Sequence, residues 1–127
     1  MNVFNVFLLM ILCHIIDDFV LQGTCLVNLK QKSWWEKNAP DPLYKNDYKV
    51  ALFMHSLEWS LMVHLPVILL WATLPFPILL LSVCINCAIH YVVDDAKANE
   101  KKINLITDQK AHLLQVLLTF IFLVAFK

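Results

Sequence analysis

Residues 3–21 read VFNVFLLMILCHIIDDFVL. Apart from Asn5, nothing polar interrupts the run from Val3 to Cys13, and then His14, Asp17 and Asp18 arrive together. The stretch is close to the roughly twenty residues that an α-helix needs to cross about 30 Å of hydrocarbon. An ionisable side chain at the membrane centre costs about 2.5–3.5 kcal/mol, and less towards the edge. The pattern therefore predicts a membrane helix whose C-terminal end lies at a polar boundary. Met1 to Leu12 carries no Lys or Arg, and acids stand where a cleavage region would begin, so a retained helix is expected rather than a removed signal.

Three more apolar stretches follow, Val50 to Leu74, Phe76 to Val93 and Ala111 to Phe126. The expected fold is all-α: a single polytopic membrane domain over residues 1–127, with four transmembrane helices in an up-and-down bundle. Thr73-Leu74-Pro75-Phe76-Pro77 predicts a tight hairpin between the second and third spans. The connection from Gly23 to Lys49 sets Trp34, Trp35, Tyr44 and Tyr48 among lysines, a composition suited to the headgroup layer. Within it, Leu26 to Trp35 predicts a short amphipathic helix along the interface, in an interfacial segment of about 24–37 that Asn38-Ala39-Pro40-Asp41-Pro42 ends.

Composition agrees. Of 127 residues, 60% are hydrophobic and 16% charged, and the mean hydropathy is +0.66. So small a body cannot hide that much apolar surface inside itself. The formal charge is zero, which excludes the clustered basic surface of a nucleic-acid-binding protein, so the bilayer is the expected partner. There is no arginine; of the ten lysines, nine lie in the two long connections and only Lys127 on the other side. That asymmetry places both connections in the cytoplasm and both termini outside. Cys13, Cys25, Cys84 and Cys87 read mainly as small apolar residues, because the Cys84-Ile-Asn-Cys87 pair has no second pair to complete a four-ligand site.

The polar residues within the spans are ordered. His14 and Asp18 close the first helix, His55 and Glu58 open the second, His90 and Asp94 close the third, and Asp108 and His112 open the fourth. In an up-and-down bundle all of these fall at one level. Three of the pairs are spaced four apart and so share a helix face, with Cβ atoms about 5–6 Å apart. Imidazole with carboxylate suits zinc, manganese or iron, and helix bundles build mononuclear and dinuclear sites in this way. The candidate ligands are His14, Asp18, His55, His90, Asp94, Asp108 and His112, enough for one or two divalent ions. Each alone could be a cap or an ion-pair partner, but the accumulation at one level needs a common reason. His64, deeper in the second span, is expected to hydrogen-bond between helices. Asp17 and Asp95 are expected to point about 100° away from their neighbours, supporting the ligands or pairing with lysine. Trp59 and Gln22 fall on the ligand faces as candidates for walling the pocket or hydrogen-bonding to ligands, and with Gln109 and Lys97 for holding a substrate.

At these residues the chain resembles a family of small bacterial and phage integral membrane proteins of unknown function. The shared pattern is His14-x-x-x-Asp18-Phe19-x-x-Gln22, then His55, then His90-x-x-x-Asp94-x-x-Lys97, then Asp108-Gln109-x-x-His112. Some members are similar to a His-x-x-x-His second helix, where Trp59 stands here. The resemblance implies a bacterial inner membrane, reached from a bacterial or a phage gene. The His-x-x-x-Asp helices also resemble, more loosely, predicted membrane-bound metal-dependent hydrolases.

Two functions fit. One is a metal-dependent hydrolase at the cytoplasmic interface acting on a phosphoester of a lipid or lipid-linked substrate, with Glu58 as general base. The other is a non-catalytic metal-binding membrane protein, either an ion transporter or a regulator or immunity factor acting on another membrane protein. The half of the bundle away from the histidines reads as almost wholly apolar, which favours a one-sided site over a permeation path. Either reading is compatible with a homo-oligomer.

Overall fold

A computed structural model describes residues 2–71 and 73–127; Ala72, inside the expected second span, lies outside them. Six helices follow in chain order: α1 Val3–Ile16, α2 Gly23–Leu29, α3 Lys32–Asn38, α4 Asp47–Leu70, α5 Phe76–Ala98 and α6 Leu105–Val124. A π-helical turn, Asp17–Leu21, extends α1 directly. There is no strand among the described residues.

Local chemistry sets the ends. Asn2 accepts a hydrogen bond from the Phe4 amide and caps α1, and Asn104 does the same for Thr107 at the start of α6. Pro75 and Pro77 begin α5, where the missing amide hydrogens would have been unpaired anyway. Together they turn α4 back on α5 as the expected hairpin. Gly23, at φ +55°, takes the chain out of the π-turn through the left-handed region that other residues avoid.

The expected single helix over Leu26–Trp35 is two helices, because Gln31 adopts an extended backbone between them. Asn99, beyond the end of α5, clamps this break: its amide nitrogen donates to the Lys30 carbonyl at 3.0 Å and its oxygen accepts from the Lys32 amide at 2.7 Å. The break lets Lys30 leave the surface and enter the bundle.

The bundle is arranged as α1, α4, α5 and α6 in a ring, α1 packing on α4 and α6, and α5 on α4 and α6. Val6, Met10, Trp59, Val63 and Val116 form much of its apolar core. Outside, Phe4, Leu8, Leu61, Leu69, Leu80 and Leu118 are exposed, whereas histidine, aspartate, serine and asparagine are enclosed. This reversal of the usual arrangement is the one a bundle surrounded by hydrocarbon would need. Val3–Leu21, Pro42–Leu70 and Phe76–Ala98 are long and apolar enough to cross a membrane. Four such helices were expected, and α6 is not among the three; Asp108, Gln109, Lys110 and His112 occupy its first two turns.

Candidate metal centre

The end of α1, the start of α4, the end of α5 and the start of α6 meet at one level, as the alternation of polar ends requires. His14, His55, His90 and His112 are all enclosed there. Trp59 supports them. Its ring stacks on His90 with centroids 4.4 Å apart, and His90 stacks on His112 at 4.2 Å. The indole Nε1 donates to His14 Nδ1 at 2.9 Å, so that nitrogen is already engaged. Trp59, expected to wall the pocket or hydrogen-bond to ligands, is fully buried and forms a plate behind the imidazoles while bonding to His14.

His55 Nε2 and His90 Nε2 lie 3.3 Å apart, and Asp18 Oδ1 lies 3.8 Å from His55 Nε2. The three ligand atoms fall within 4.8 Å of one another. Nitrogen and oxygen ligands at about 2.1 Å from a tetrahedral zinc ion are roughly 3.4 Å apart. The imidazole pair already has that separation, and Asp18 would have to draw closer to both rings to join it.

The partners of His55 fix its protonation. The Gln22 amide nitrogen lies 2.8 Å from His55 Nε2 and donates to it, leaving the ring proton on Nδ1; a metal would use the same lone pair, so Gln22 would have to turn aside for His55 to bind one. Nδ1 faces Asp17 Oδ2 at 3.7 Å. A carboxylate behind an imidazole whose other nitrogen faces a common centre is the usual support of a metal-binding histidine. Asp17 was expected to point away. The π-turn that starts at this residue breaks the 100° step, and both Asp17 and Asp18 turn inward, with Asp17 fully buried and its two oxygens without a hydrogen bond. Asp95 accepts from the Asn99 amide at 2.7 Å, not from a lysine.

The remaining candidates surround this trio. Asp94 is 2.5 Å from Lys30 Nζ and 3.5 Å from Lys97 Nζ. Asp108 is 2.6 Å from Lys97 Nζ and 3.3 Å from His112 Nε2. Gln109 donates to Asp18 at 3.0 Å and to Asp108 at 3.2 Å, tying α6 to α1. Glu58 is half-buried on α4, and among the described residues it has no hydrogen bond or ion pair with the cluster.

Lys30 was not foreseen as part of the site. Burial pushes its ammonium below the ordinary lysine range, and the Asp94 carboxylate opposes that shift. Its role shows in the charge count. Asp17, Asp18, Asp94 and Asp108 are enclosed with only Lys30 and Lys97 as cations. With all four carboxylates ionised and the imidazoles neutral, the count would leave two negative charges uncompensated in a medium where that is expensive. One divalent cation would balance them.

The far half of the bundle is more polar than expected. His64 makes the predicted interhelical bond, its Nε2 lying 2.8 Å from Ser82 Oγ. Ser60 donates to the Val83 carbonyl, and Gln115 and Thr119 both donate to Asn86 Oδ1. Serine, asparagine and glutamine in apolar runs were the available signal for this network. All four cysteines are free, with Cys84 exposed and Cys87 buried.

An open depression of about 440 Å³ reaches the centre from the α1–α2 junction, lined by Asp18, Phe19, Gln22, Thr24, Val27 and Asn28. No curated protein and no solved structure matches the chain. A family model described as "Protein of unknown function (DUF3307)" matches residues 6–127 and so covers nearly the whole bundle and every candidate ligand. The chain belongs to that family, DUF3307.

Proposed function

We propose that the protein is a membrane-embedded metal-dependent hydrolase of phosphoesters in lipid or lipid-linked substrates. The observation that carries this reading is the Asp18, His55 and His90 trio, backed by Asp17 and set in a cluster of four carboxylates with two lysines. Zinc, manganese or iron fits this donor set, with Asp94, Asp108, His112 and His14 close by for a second ion. When bound, such an ion supplies a more acidic water and polarises a phosphoryl oxygen.

The chain's own residues would do the rest. Asp17 faces the Nδ1 edge of His55 and would have to close on it to hold that proton, and Gln22 borders both His55 and the open depression. Lys97, partly exposed beside Asp94 and Asp108, can attract the anionic phosphate. Water adds to phosphorus, the P–O bond to the alcohol breaks, and the alcohol leaves with a proton. Glu58, half-buried beside Asp17, is the candidate to take the water's proton, and reaching the centre would require its side chain to swing inward.

In the same reading α6 is a fourth span, both lysine-rich connections face the cytoplasm, and the site opens at the cytoplasmic side of a bacterial inner membrane. The alternative, a metal-handling protein without catalysis, gains support from the buried polar network beyond the histidines, since a transport path needs polar groups past the midplane. One experiment separates them. Tag-free protein should retain at least one transition-metal ion per chain and release phosphorylated products from membrane lipid extract, both lost in His90→Ala. Bound metal without turnover, together with metal uptake into proteoliposomes, would establish the transport reading instead.

A further inference from the structure

Between α5 and α6 runs a cleft of about 420 Å³, separate from the depression at the α1–α2 junction. Its walls are Ile85, Ile89 and Val93 on α5 and Ala111, Leu114 and Leu118 on α6, with Asn86 and Thr119 at the floor. Ile85, Ile89, Leu114 and Leu118 are each about half exposed, so the cleft opens sideways to whatever surrounds the bundle. Small side chains, Ala111, Ser82 and Thr119, leave the space where larger ones would close the helices together. Most of the polar floor is spent on itself, since Gln115 and Thr119 donate to Asn86 and Asn86 donates to the Ser82 carbonyl, leaving Gln115 Oε1 as an acceptor without a partner.

Its length identifies the occupant. The lining runs from Ser82 to Val93 on α5 and from Ala111 to Phe122 on α6. At 1.5 Å per residue each wall is about 16 Å long. That is close to half the roughly 30 Å hydrocarbon core, the depth of one leaflet. A transmembrane helix of a partner, or of a second copy, would need a groove about twice as long. One end lies beside the candidate metal centre, because Val93 precedes Asp94 and Ala111 precedes His112. There Lys110 is exposed.

We infer that the α5–α6 cleft is a binding site for one hydrocarbon chain of an anionic membrane lipid, whose headgroup sits by Lys110 at the level of the histidines. The existence of this site is independent of catalysis; its role as the seat of the substrate's chain rests on the hydrolase reading.

The test uses the full chain in nanodiscs of phosphatidylcholine doped with phosphatidylglycerol carrying a diazirine midway along one acyl chain. Photolysis after metal removal by chelation keeps turnover out of the measurement. Labelling should concentrate on Ile85, Ile89, Leu114 and Leu118, several-fold above Leu8 and Leu61 on the opposite faces. Leu114→Trp and Ala111→Phe, which fill the cleft at different depths, should each abolish that excess while leaving labelling of Leu8 and Leu61 unchanged. Excess unlabelled phosphatidylglycerol should compete better than phosphatidylcholine, and Lys110→Gln should remove the difference. Uniform labelling of all lipid-facing helices, labelling that survives both filling substitutions, or crosslinks between two chains in the cleft would overturn the inference. Catalytic failure with intact cleft labelling would count against the hydrolase reading alone.

Discussion

Asp17 and Lys30 are the two residues whose placement the structure changes most. The four-residue spacing of His14 with Asp18, His90 with Asp94 and Asp108 with His112 was legible, because regular helical periodicity fixes which side chains share a face. The supporting role of Asp17 was legible as well, but its inward direction was not, since one π-turn is enough to defeat a fixed 100° step and nothing local announces it. If Asp17 orients His55, Asp17→Asn should weaken metal binding by about 10–100-fold, measured by competition with a chelator, while membrane insertion is unchanged. An unaltered affinity would reduce Asp17 to a packing role. Lys30 shares a buried ion pair with Asp94, and breaking such a pair from one side costs about 3–5 kcal/mol. Lys30→Met should therefore lower the stability of the metal-free protein in denaturant titration. It should also tighten metal binding, because a third enclosed negative charge goes unbalanced. A variant both weaker in metal binding and unchanged in stability would show that Lys30 is not the counter-charge described here.

The connections between elements were legible where local chemistry sets them and illegible where distant residues do. Pro75 and Pro77 force the α4–α5 hairpin on their own account. The division between α2 and α3 has no such mark. It is made by Asn99, nearly seventy positions along the chain, whose amide satisfies both backbone groups that the break exposes. Asn99→Ala leaves those groups without this partner, at about 1–3 kcal/mol for a buried group and less at this partly exposed position. Hydrogen exchange should accelerate across residues 23–38, while amides at the centres of α4 and α5 keep their protection. Acceleration confined to the end of α5 would mean that the break is held by something else.

At the scale of the molecule, the ring of helices followed from the order in which polar groups appear at successive helix ends. The lateral cleft did not, because it depends on how far α5 and α6 stand apart, which span lengths do not determine. If orientation follows the distribution of lysines, as proposed, the segment around Asn46 faces the cytoplasm. In a variant whose four native cysteines are replaced by serine or alanine, a single cysteine at position 46 should resist an impermeant thiol reagent added to intact cells. It should react once the membrane is opened. Reaction from outside would invert the topology and place the candidate metal centre on the external face.

Trp59 lies against His90 and His112 and donates its N–H to His14. An indole in that position is an optical reporter placed inside the centre by the fold itself. Its emission should be strongly quenched by a paramagnetic ion such as cobalt(II), and only modestly altered by zinc, whereas Trp34, Trp35 and Trp71 supply a background that Trp59→Phe would leave intact. Filling of the centre could then be followed in real time, in native membranes, with no added label.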